Sequence, residues 1–329
     1  VTDFINNIQH KVSAQEGDTL PVSALSDYVN GSTPSGTSAY EKRGIAVNIP
    51  GWNPDNCIQC NFCSYVCPHA VIRSIALTDE EAAEKPEVMK TLPMTGMPGC
   101  GSCANVCPGK KGEKALTMIN MEENCEEKQI GFDYGQTLPI KQEVIDKFKP
   151  NTVKGSQFKK PLLEFSGACA GCGETPYAKL ITQLFGDRMY IANATGCTSI
   201  WGNSSPSTPY TVNAEGHGPA WANSLFEDNA EFGYGMLLAQ KSMRAGLKAK
   251  VEEIMNSEKA SDEVKTACRE YLDTFEAGAT NGSATDKLVA ALEGCDCDTC
   301  KEILKDKDFL AKKSQWVCGG DGWAYDIGF

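Results

Sequence analysis

The sequence has 329 residues, of which 41% are hydrophobic, and a formal net charge of −12. This length suffices for two or three domains with real cores, and the acidic balance argues against nucleic acid as a partner. Sixteen cysteines occur without a signal peptide or an 18-residue apolar run. We therefore predict no membrane association and a reducing, cytoplasmic compartment.

The first 160 residues are predicted to form an arm, a small domain and a connector. Residues 1–50 are polar and turn-rich, which is typical of a short helix followed by a linker or docking arm. Residues 51–125 are expected to form one domain, and residues 126–160 a connector on the surface. The predicted elements are strands at 45–49, 70–72 and 115–119 and a helix at 79–85, which Pro86 ends.

The first cysteine group predicts an iron-sulfur site. Cys57, Cys60, Cys63 and Cys67 are followed by Pro68, which is the spacing of a bacterial [4Fe-4S] loop whose fourth cysteine ligates the other cluster. Cysteines at every third position let one piece of backbone wrap three corners of a cubane. Zinc usually takes two separated C-x2-C pairs, and disulfides between such near neighbours are strained.

A second group repeats this motif but lacks one ligand. Cys100, Cys103 and Cys107 match its last three cysteines, and Met97 stands where the repeat requires the first. The predicted ligand sets are Cys57, Cys60, Cys63 and Cys107 for one cluster and Cys67, Cys100 and Cys103 for the other. A three-iron cluster, another ligand or a missing stretch of sequence would each account for the open corner. Cys125 is a spare thiol, but it lies outside the binding loop.

Residues 161–329 are predicted to form an α/β domain. The expected elements are strands at 162–165, 188–192 and 315–318, a helix at 177–184 and an irregular segment at 201–235. The turns that carry Cys169, Cys172 and Cys197 follow the first two strands. In a doubly wound sheet both turns lie at the carboxyl edge, where ligands bind. We predict that these three cysteines ligate a further cluster, with a C-x2-C redox pair as the alternative.

The periodicity of residues 236–313 predicts a helical insertion, broken near 256–257 and 278–283. Within it, Cys295, Cys297 and Cys300 could bind a metal, although acidic neighbours and close spacing favour a local redox or incidental cluster.

A glycine-rich turn follows the last predicted strand. Gly320, Asp321 and Gly322 form a Gly-Asp-Gly sequence. Such a turn lets the backbone approach a diphosphate, while the carboxylate takes a hard divalent cation. The chain ends soon after, at residues 326–329, with the character of a domain interior, so we expect it to be a fragment.

Four stretches resemble the signatures of pyruvate:ferredoxin (flavodoxin) oxidoreductases, which are thiamine-diphosphate enzymes of anaerobic metabolism. These stretches are residues 165–177, 194–197, 218–229 and 320–326. The resemblance covers nearly the whole chain. It implies an α+β ferredoxin-like two-cluster domain, followed by an incomplete α/β doubly wound thiamine-diphosphate-binding domain with a helical insertion.

The resemblance also implies roles for individual residues. Cys169, Cys172 and Cys197 match ligands of a proximal [4Fe-4S] cluster, whose fourth ligand would lie beyond residue 329. Asp321 matches the Mg2+ ligand of the thiamine-diphosphate motif. The candidate cofactor-binding residues are Gly171, Cys172, Gly173, Gly320, Asp321 and Gly322. The family's activating glutamate would precede the first residue, so no catalytic residue is assigned.

The implied activity is oxidative decarboxylation of pyruvate with coenzyme A, giving acetyl-CoA, CO2 and two electrons. The electrons would pass from the thiamine adduct through the clusters to ferredoxin or flavodoxin, and we expect a homodimer. Because ferredoxins of this family are generally acidic, Lys110, Lys111 and Lys114 are candidates for a docking surface, with a solvated turn as an equal alternative. Two other functions stay open: a stand-alone iron-sulfur electron-transfer module without decarboxylase activity, and a pyruvate:NADP oxidoreductase with a fused flavin module.

Overall fold

The computed structural model describes residues 1–41, 44, 46–91, 101–204, 207–224 and 228–320, with the backbone alone for 101–103. The chain forms two compact units. Unit 1 comprises Val1–Asp187 and Ile200–Gly218, and unit 2 comprises Arg188–Ser199 and Pro219–Phe329. Helices and strands occur in both units, so the described chain is an α+β protein. In the part of the chain that the structure describes, no helix has the length and apolar character needed to cross a membrane.

Unit 1 begins with a helical segment and contains mostly short helices. The first segment consists of α1 (Thr2–Phe4), a π-helical stretch (Ile5–Gln9) and α2 (His10–Ser13). The further helices are α3 (Phe62–Tyr65), α4 (Asp79–Glu84), α5 (Gly101–Val106), α6 (Met121–Thr137), α7 (Gln142–Lys147), α8 (Val153–Ser156) and α9 (Thr175–Phe185). Short 3₁₀ turns occur at Gly17–Thr19, Val22–Tyr28, Thr37–Tyr40 and Pro54–Asn56.

Local sequence signals explain two of these helices. The predicted helix at 79–85 forms as α4, because Thr78 and Glu81 make a capping box at its start. The predicted helix at 177–184 forms as α9 and begins slightly earlier, with Pro176 in its first turn. The segment 126–160, predicted as a connector, contains the end of α6 together with α7 and α8. Asn120 caps the start of the 17-residue helix α6.

The sheet of unit 1 has two antiparallel strands, β1 (Asn48–Trp52) and β2 (Leu116–Asn120). Their register pairs Trp52 with Leu116 and Asn48 with Asn120. The strand predicted at 115–119 is therefore confirmed. The strand predicted at 45–49 begins later, at Asn48, and ends at Trp52. The buried core beside this sheet comprises Trp52, Cys63, Cys67, Ile72, Ala115 and Leu116.

The strand predicted at 70–72 is wrong. Ala70 has a left-handed backbone with φ of +52°, which a regular strand does not allow. The side chains of neighbouring residues take the carbonyl groups of this segment: the Arg73 Nε donates to Ala70 O at 2.7 Å, and the Ser64 hydroxyl lies 2.9 Å from Ile72 O. The segment is buried but bonded to side chains, so its apolar composition misled the prediction.

The strand predicted at 162–165 is also wrong. It is reduced to an isolated antiparallel bridge between Leu163 and Tyr210. Leu162 and Leu163 are buried, so the hydrophobic pattern correctly indicated burial. Phe165 has φ of +54°, which ends the extended conformation.

Unit 2 is built on a three-stranded parallel sheet of β3 (Met189–Asn193), β4 (Ala220–Asn223) and β5 (Ser314–Cys318), in the order β4-β3-β5. The strands predicted at 188–192 and 315–318 are confirmed. β4 falls in the segment predicted to be irregular, and its four residues with interspersed small side chains carry little strand signal.

Helices of unit 2 follow the predicted insertion closely. They are α10 (Cys197–Ser199), α11 (Asn229–Asn256), α12 (Asp262–Asp273), α13 (Asn281–Glu293) and α14 (Asp298–Lys305), with a 3₁₀ turn at Lys307–Phe309. Both predicted breaks are present between α11 and α13. Their core comprises Leu247, Val251, Ile254, Val264, Ala267, Cys268, Tyr271, Leu288, Leu292, Cys300, Ile303 and Leu310.

Candidate metal centre

Four predicted cluster ligands line one cavity in unit 1. These are Cys57, Cys60, Cys63 and Cys107. The remaining lining residues are Ile58, Gln59, Asn61, Pro108, Ala115 and Leu116. The fold thus brings together three thiols from one loop and one thiol from more than 40 positions later in the chain, as the cross-ligation pattern predicts.

Two left-handed residues shape the loop that carries Cys57, Cys60 and Cys63. Gln59 and Asn61 have left-handed φ values of +58° and +62°. Each of these residues changes the direction of the backbone on one side of Cys60. Left-handed residues next to right-handed ones also direct consecutive N–H groups into a concave, anion-binding arrangement. The Asn61 side chain donates to the carbonyl of Lys154 at 3.1 Å, which ties the loop to α8.

The electrostatics of Cys63 reflect the same convergence. Burial raises the pKa of its thiol to about 12, and the nearby thiols of Cys60, Cys57 and Cys107 act in the same direction. A buried thiol beside three others resists ionisation unless a cation compensates it. Metal ligation supplies that compensation and releases the proton, because thiolate is the ligand form.

A second layer of side chains holds the helix that carries Cys63. Lys179, only 1% exposed, donates from its ammonium to the carbonyl oxygens of Ser64 and, at 3.2 Å, of Tyr65. The Ser64 hydroxyl also lies 3.0 Å from Oε1 of Gln157. The sequence pattern missed Lys179 entirely, because no motif distinguishes a buried lysine in an amphipathic helix from an exposed one.

The second predicted cluster is described only in part. Cys67 is fully buried in the core of unit 1. Cys100 and Met97 lie outside the described residues, and Cys103 is described by its backbone alone, on α5. The ligand set Cys67, Cys100 and Cys103 therefore stays a prediction.

The third predicted ligand set is distributed over both units. Cys169 is exposed and Cys172 half-buried, and a turn joins them in which the Cys172 N–H donates to Cys169 O at 3.0 Å. Gly171 has φ of +74° within this turn, a conformation that favours glycine. Cys197 is exposed at the start of α10 in unit 2. Ligation of a shared cluster by these three residues stays a prediction, as does the role of Gly173.

The carboxyl ends of β3 and β5 meet in a glycine-lined edge. A Cβ at Gly196 would lie 3.4 Å from the Cα of Gly320, an ordinary van der Waals contact, so the two glycines lie close together at this edge. The Ala194 N–H donates to Cys318 O at 2.8 Å and keeps the two strand ends together. Asp321 and Gly322, predicted to follow this edge, lie outside the described residues.

A separate cysteine group in unit 2 is compact. The sulfur of Cys300 lies 2.7 Å from that of Cys297 and 2.8 Å from that of Cys295, and all three sulfurs lie within 4.8 Å of one another. A hydrogen bond from Cys300 lowers the pKa of the Cys295 thiol, whereas burial raises the pKa of the Cys300 thiol. Spacing alone had favoured a redox or incidental cluster here.

Comparison with known proteins agrees with the iron-sulfur geometry. A family model described as EKR, a domain of unknown function, matches residues 1–46, and a model described as a 4Fe-4S binding domain matches residues 49–72. Pyruvate:ferredoxin oxidoreductase of Moorella thermoacetica is 49% identical, and pyruvate-flavodoxin oxidoreductase of Klebsiella pneumoniae 47% identical, each over 99% of this chain. The chain is homologous to a segment of these oxidoreductases. The resemblance inferred from the four sequence stretches is thereby confirmed.

The matched segment is a minor part of each relative. The chain spans 29% of the length of the Moorella and Klebsiella proteins. A mitochondrial pyruvate dehydrogenase [NADP(+)] of Euglena gracilis is 41% identical over 99% of the chain, which spans 19% of that protein.

Proposed function

We propose that this chain forms part of a pyruvate:ferredoxin or pyruvate:flavodoxin oxidoreductase. The whole protein would convert pyruvate and coenzyme A into acetyl-CoA and CO2 and deliver two electrons to ferredoxin or flavodoxin. This chain would supply the iron-sulfur relay and the first part of the thiamine-diphosphate domain. The observation that carries the proposal is the convergence of Cys57, Cys60, Cys63 and Cys107 on one cavity, in a chain homologous to oxidoreductases with these names.

The residues at this cavity fit a [4Fe-4S] cluster in donor type, number and surroundings. Four thiolates are the usual ligand set of such a cluster, which when bound accepts and passes on one electron at a time. The protein's part is to hold the thiolates and to set their environment. Lys179 and Ser64 fix α3, and the buried side chains of Ala115 and Leu116 exclude water from the inner wall.

Two further clusters complete the proposed relay. Cys67, Cys100 and Cys103 would hold the second, with the corner corresponding to Met97 filled by another group or left as a three-iron form. Cys169, Cys172 and Cys197 would hold three corners of the proximal cluster in the thiamine domain. Gly171 and Gly173 would let the backbone approach that cluster closely, since neither carries a side chain.

The glycine-lined edge of unit 2 supports a diphosphate site. Backbone at Gly196 and Gly320 is free of side chains where the ends of β3 and β5 meet, and ligands of parallel sheets bind at this edge. Asp321 and Gly322, next in sequence, would complete the site, with the carboxylate of Asp321 as a ligand of Mg2+.

The alternatives receive less support. The match to the Euglena pyruvate dehydrogenase [NADP(+)] has lower identity, 41% against 49%, so a ferredoxin or flavodoxin acceptor is preferred over NADP. A stand-alone electron-transfer module would need the iron-sulfur loops alone. It gives no reason for the glycine-lined edge of the parallel sheet.

Iron and acid-labile sulfide analysis of the intact protein, with EPR of the reduced form, tests the cluster assignment. We expect about twelve iron atoms per chain if all three clusters are cubanes, and about eleven with a three-iron signal if the Met97 corner is open. Pyruvate- and coenzyme-A-dependent reduction of ferredoxin tests the activity. Four irons or fewer, or reduction without pyruvate, would sink the proposal.

A pair of variants sharpens this test. Cys63→Ser removes a buried thiol of the cavity and should lower the iron content by about four atoms or convert one cluster to a three-iron form. Cys125→Ser is the matched control, because Cys125 is exposed on α6. Equal iron contents in the two variants would contradict the assignment of Cys63 as a ligand.

A further inference from the structure

Three cysteines at the junction of α13 and α14 converge without a role in the proposed relay. Cys295 follows the end of α13, and its N–H donates to Leu292 O at 2.9 Å. Cys297 is the N-cap residue of α14, and its sulfur accepts the N–H of Cys300 at 3.2 Å. The end of α13 and the cap of α14 thus bring the sulfur atoms of the three cysteines together.

The sulfur geometry differs from that of a thiol pair. Cys300 lies within 2.8 Å of both other sulfurs, closer than unbonded sulfur atoms pack. A disulfide joins only two sulfurs, at about 2.03–2.05 Å, and would leave the third thiol pressed against it. A single metal ion uses all three. Tetrahedral Zn–S bonds of about 2.3 Å separate sulfurs by about 3.8 Å, so modest side-chain rotations would open this group around an ion.

The surroundings favour a cation and a structural role. Cys300 is fully buried in the helical core of unit 2, while Cys297 is exposed. The positive end of α14 stabilises thiolate at its first turn. The carboxylate of Asp296, one of the two aspartates next to Cys297, is paired with the Lys301 ammonium at 2.7 Å.

We propose that Cys295, Cys297 and Cys300 bind one Zn2+ ion as a thiolate tripod that fastens the α13–α14 turn to the helical core. Three thiolates give a soft ligand set that suits zinc, and water takes the fourth position. The ion has no part in electron transfer because Zn2+ is not redox-active. The site is independent of the iron-sulfur loops, so its test can fail or succeed without deciding the proposed function.

Zinc K-edge X-ray absorption of the intact protein, prepared under reducing conditions with zinc present, tests the site without interference from iron. We expect about one zinc per chain with about three sulfur neighbours at 2.3 Å. In Cys297→Ser, which alters an exposed residue, zinc content should fall at least tenfold after dialysis. Cys125→Ser, a single exposed thiol elsewhere, should keep its zinc.

Three results would overturn the proposal. The first is zinc absent, or bound mainly through nitrogen and oxygen. The second is equal zinc retention in Cys297→Ser and the unaltered protein. The third is a peptide spanning the three cysteines that is lighter by two hydrogen atoms and in which only one cysteine is alkylated before reduction, which would indicate a disulfide. If Cys297→Ser fails to fold, the sulfur shell around zinc in the unaltered protein decides.

Discussion

Lys179 illustrates how one buried residue can position a metal ligand. Its ammonium reaches the carbonyl groups of Ser64 and Tyr65, at the end of the helix that carries Cys63. An ammonium is costly to bury unless hydrogen bonds compensate it. The lysine and the helix end therefore stabilise each other, and the positive charge lies in the layer behind the cysteine loop.

Replacing Lys179 with methionine roughly keeps the length of the side chain but removes the charge and the hydrogen bonds to the carbonyl groups of Ser64 and Tyr65. We expect the free energy of unfolding to fall by about 2–4 kcal/mol. The reduction potential of the first cluster should become more negative, because a positive charge no longer favours the added electron. Denaturant unfolding and an EPR-monitored redox titration measure the two effects.

The control for this prediction is Lys128→Met on α6. Lys128 is partly exposed and lies 3.9 Å from Glu127, and such surface pairs contribute little. Its replacement should leave both measurements unchanged. A potential and a stability unaltered by Lys179→Met would refute the positioning role.

At the scale of elements, a carboxylate links α4 to the segment that begins α7. Glu81 lies 2.7 Å from the Lys141 ammonium and also accepts the N–H of Thr78. The hydrogen bond from Lys141, followed by that from Thr78, lowers the pKa of Glu81 below its ordinary value of 4.5. The stabilisation is therefore present above pH 4.5 and lost as pH falls through the lower, folded-state pKa.

Glu81→Gln should consequently be less stable than the unaltered protein at neutral pH and equally stable at low pH. Urea unfolding midpoints at several pH values between about 7 and 3 measure this convergence. Glu126→Gln, on the exposed face of α6, should show no such pH-dependent difference. A gap between Glu81→Gln and the unaltered protein that persists at the lowest pH would contradict the linkage.

Two glycines of α11 make a matched test of packing against helix propensity. A side chain at Gly233 would lie 2.4 Å from Val317 on β5 and 3.2 Å from Ala192 on β3. At Gly246 of the same helix nothing lies within 4 Å. Alanine favours a helix over glycine by about 1 kcal/mol, but overpacking costs about 1–3 kcal/mol.

We expect Gly233→Ala to destabilise the protein by about 1–2 kcal/mol and Gly246→Ala to stabilise it by about 0.5–1 kcal/mol. Thermal and urea unfolding of the two variants measure the opposite signs. Stabilisation by both substitutions would show that α11 does not pack closely on the sheet at Gly233.

The accuracy of sequence-based prediction in this chain depended on how local the signal was. The helices predicted at 79–85, ended by Pro86, and at 177–184 form as α4 and α9, where a capping box and an early proline stabilise their starts. The breaks of the helical insertion followed from polar and glycine-rich stretches. Residues 70–72 and 162–165 were correctly expected to be apolar and buried, yet form no regular strand. The carbonyl groups of Ala70 and Ile72 accept hydrogen bonds from side chains, as from Arg73 to Ala70, and the Glu164 N–H donates to the distant Pro209 O. Periodicity cannot show either arrangement.

In the candidate site, too, the local sequence signals predicted some residues and not others. Ligand spacing predicted that Cys107 would join Cys57, Cys60 and Cys63, because cross-ligation leaves a regular pattern in the chain. The support from Lys179 could not be predicted, since it depends on which face of α9 meets α3. Spacing left the role of Cys295, Cys297 and Cys300 open between a metal site and a redox or incidental cluster, because their convergence depends on the cap geometry of α14.

For the whole molecule, the net charge of −12 disfavours an acidic partner unless a local basic surface receives it. The turn after Cys107 provides Lys110 and Lys111, both exposed. Lys114 differs from them, because its ammonium donates to the carbonyls of Ala104 and Asn105 and closes the end of α5. Of the three lysines predicted to form a docking surface, Lys110 and Lys111 therefore remain the candidates.

If ferredoxin docks beside the first cluster, Lys110→Glu combined with Lys111→Glu should slow ferredoxin reduction by about tenfold or more at low salt. The difference should shrink at 0.5 M salt, where charges are screened within a few ångströms. Stopped-flow reduction of ferredoxin by the pre-reduced protein measures the rate. Lys259→Glu with Lys305→Glu, two exposed lysines of unit 2, makes the same change in net charge. Equal slowing in both double variants would attribute the effect to overall charge and refute docking at the turn.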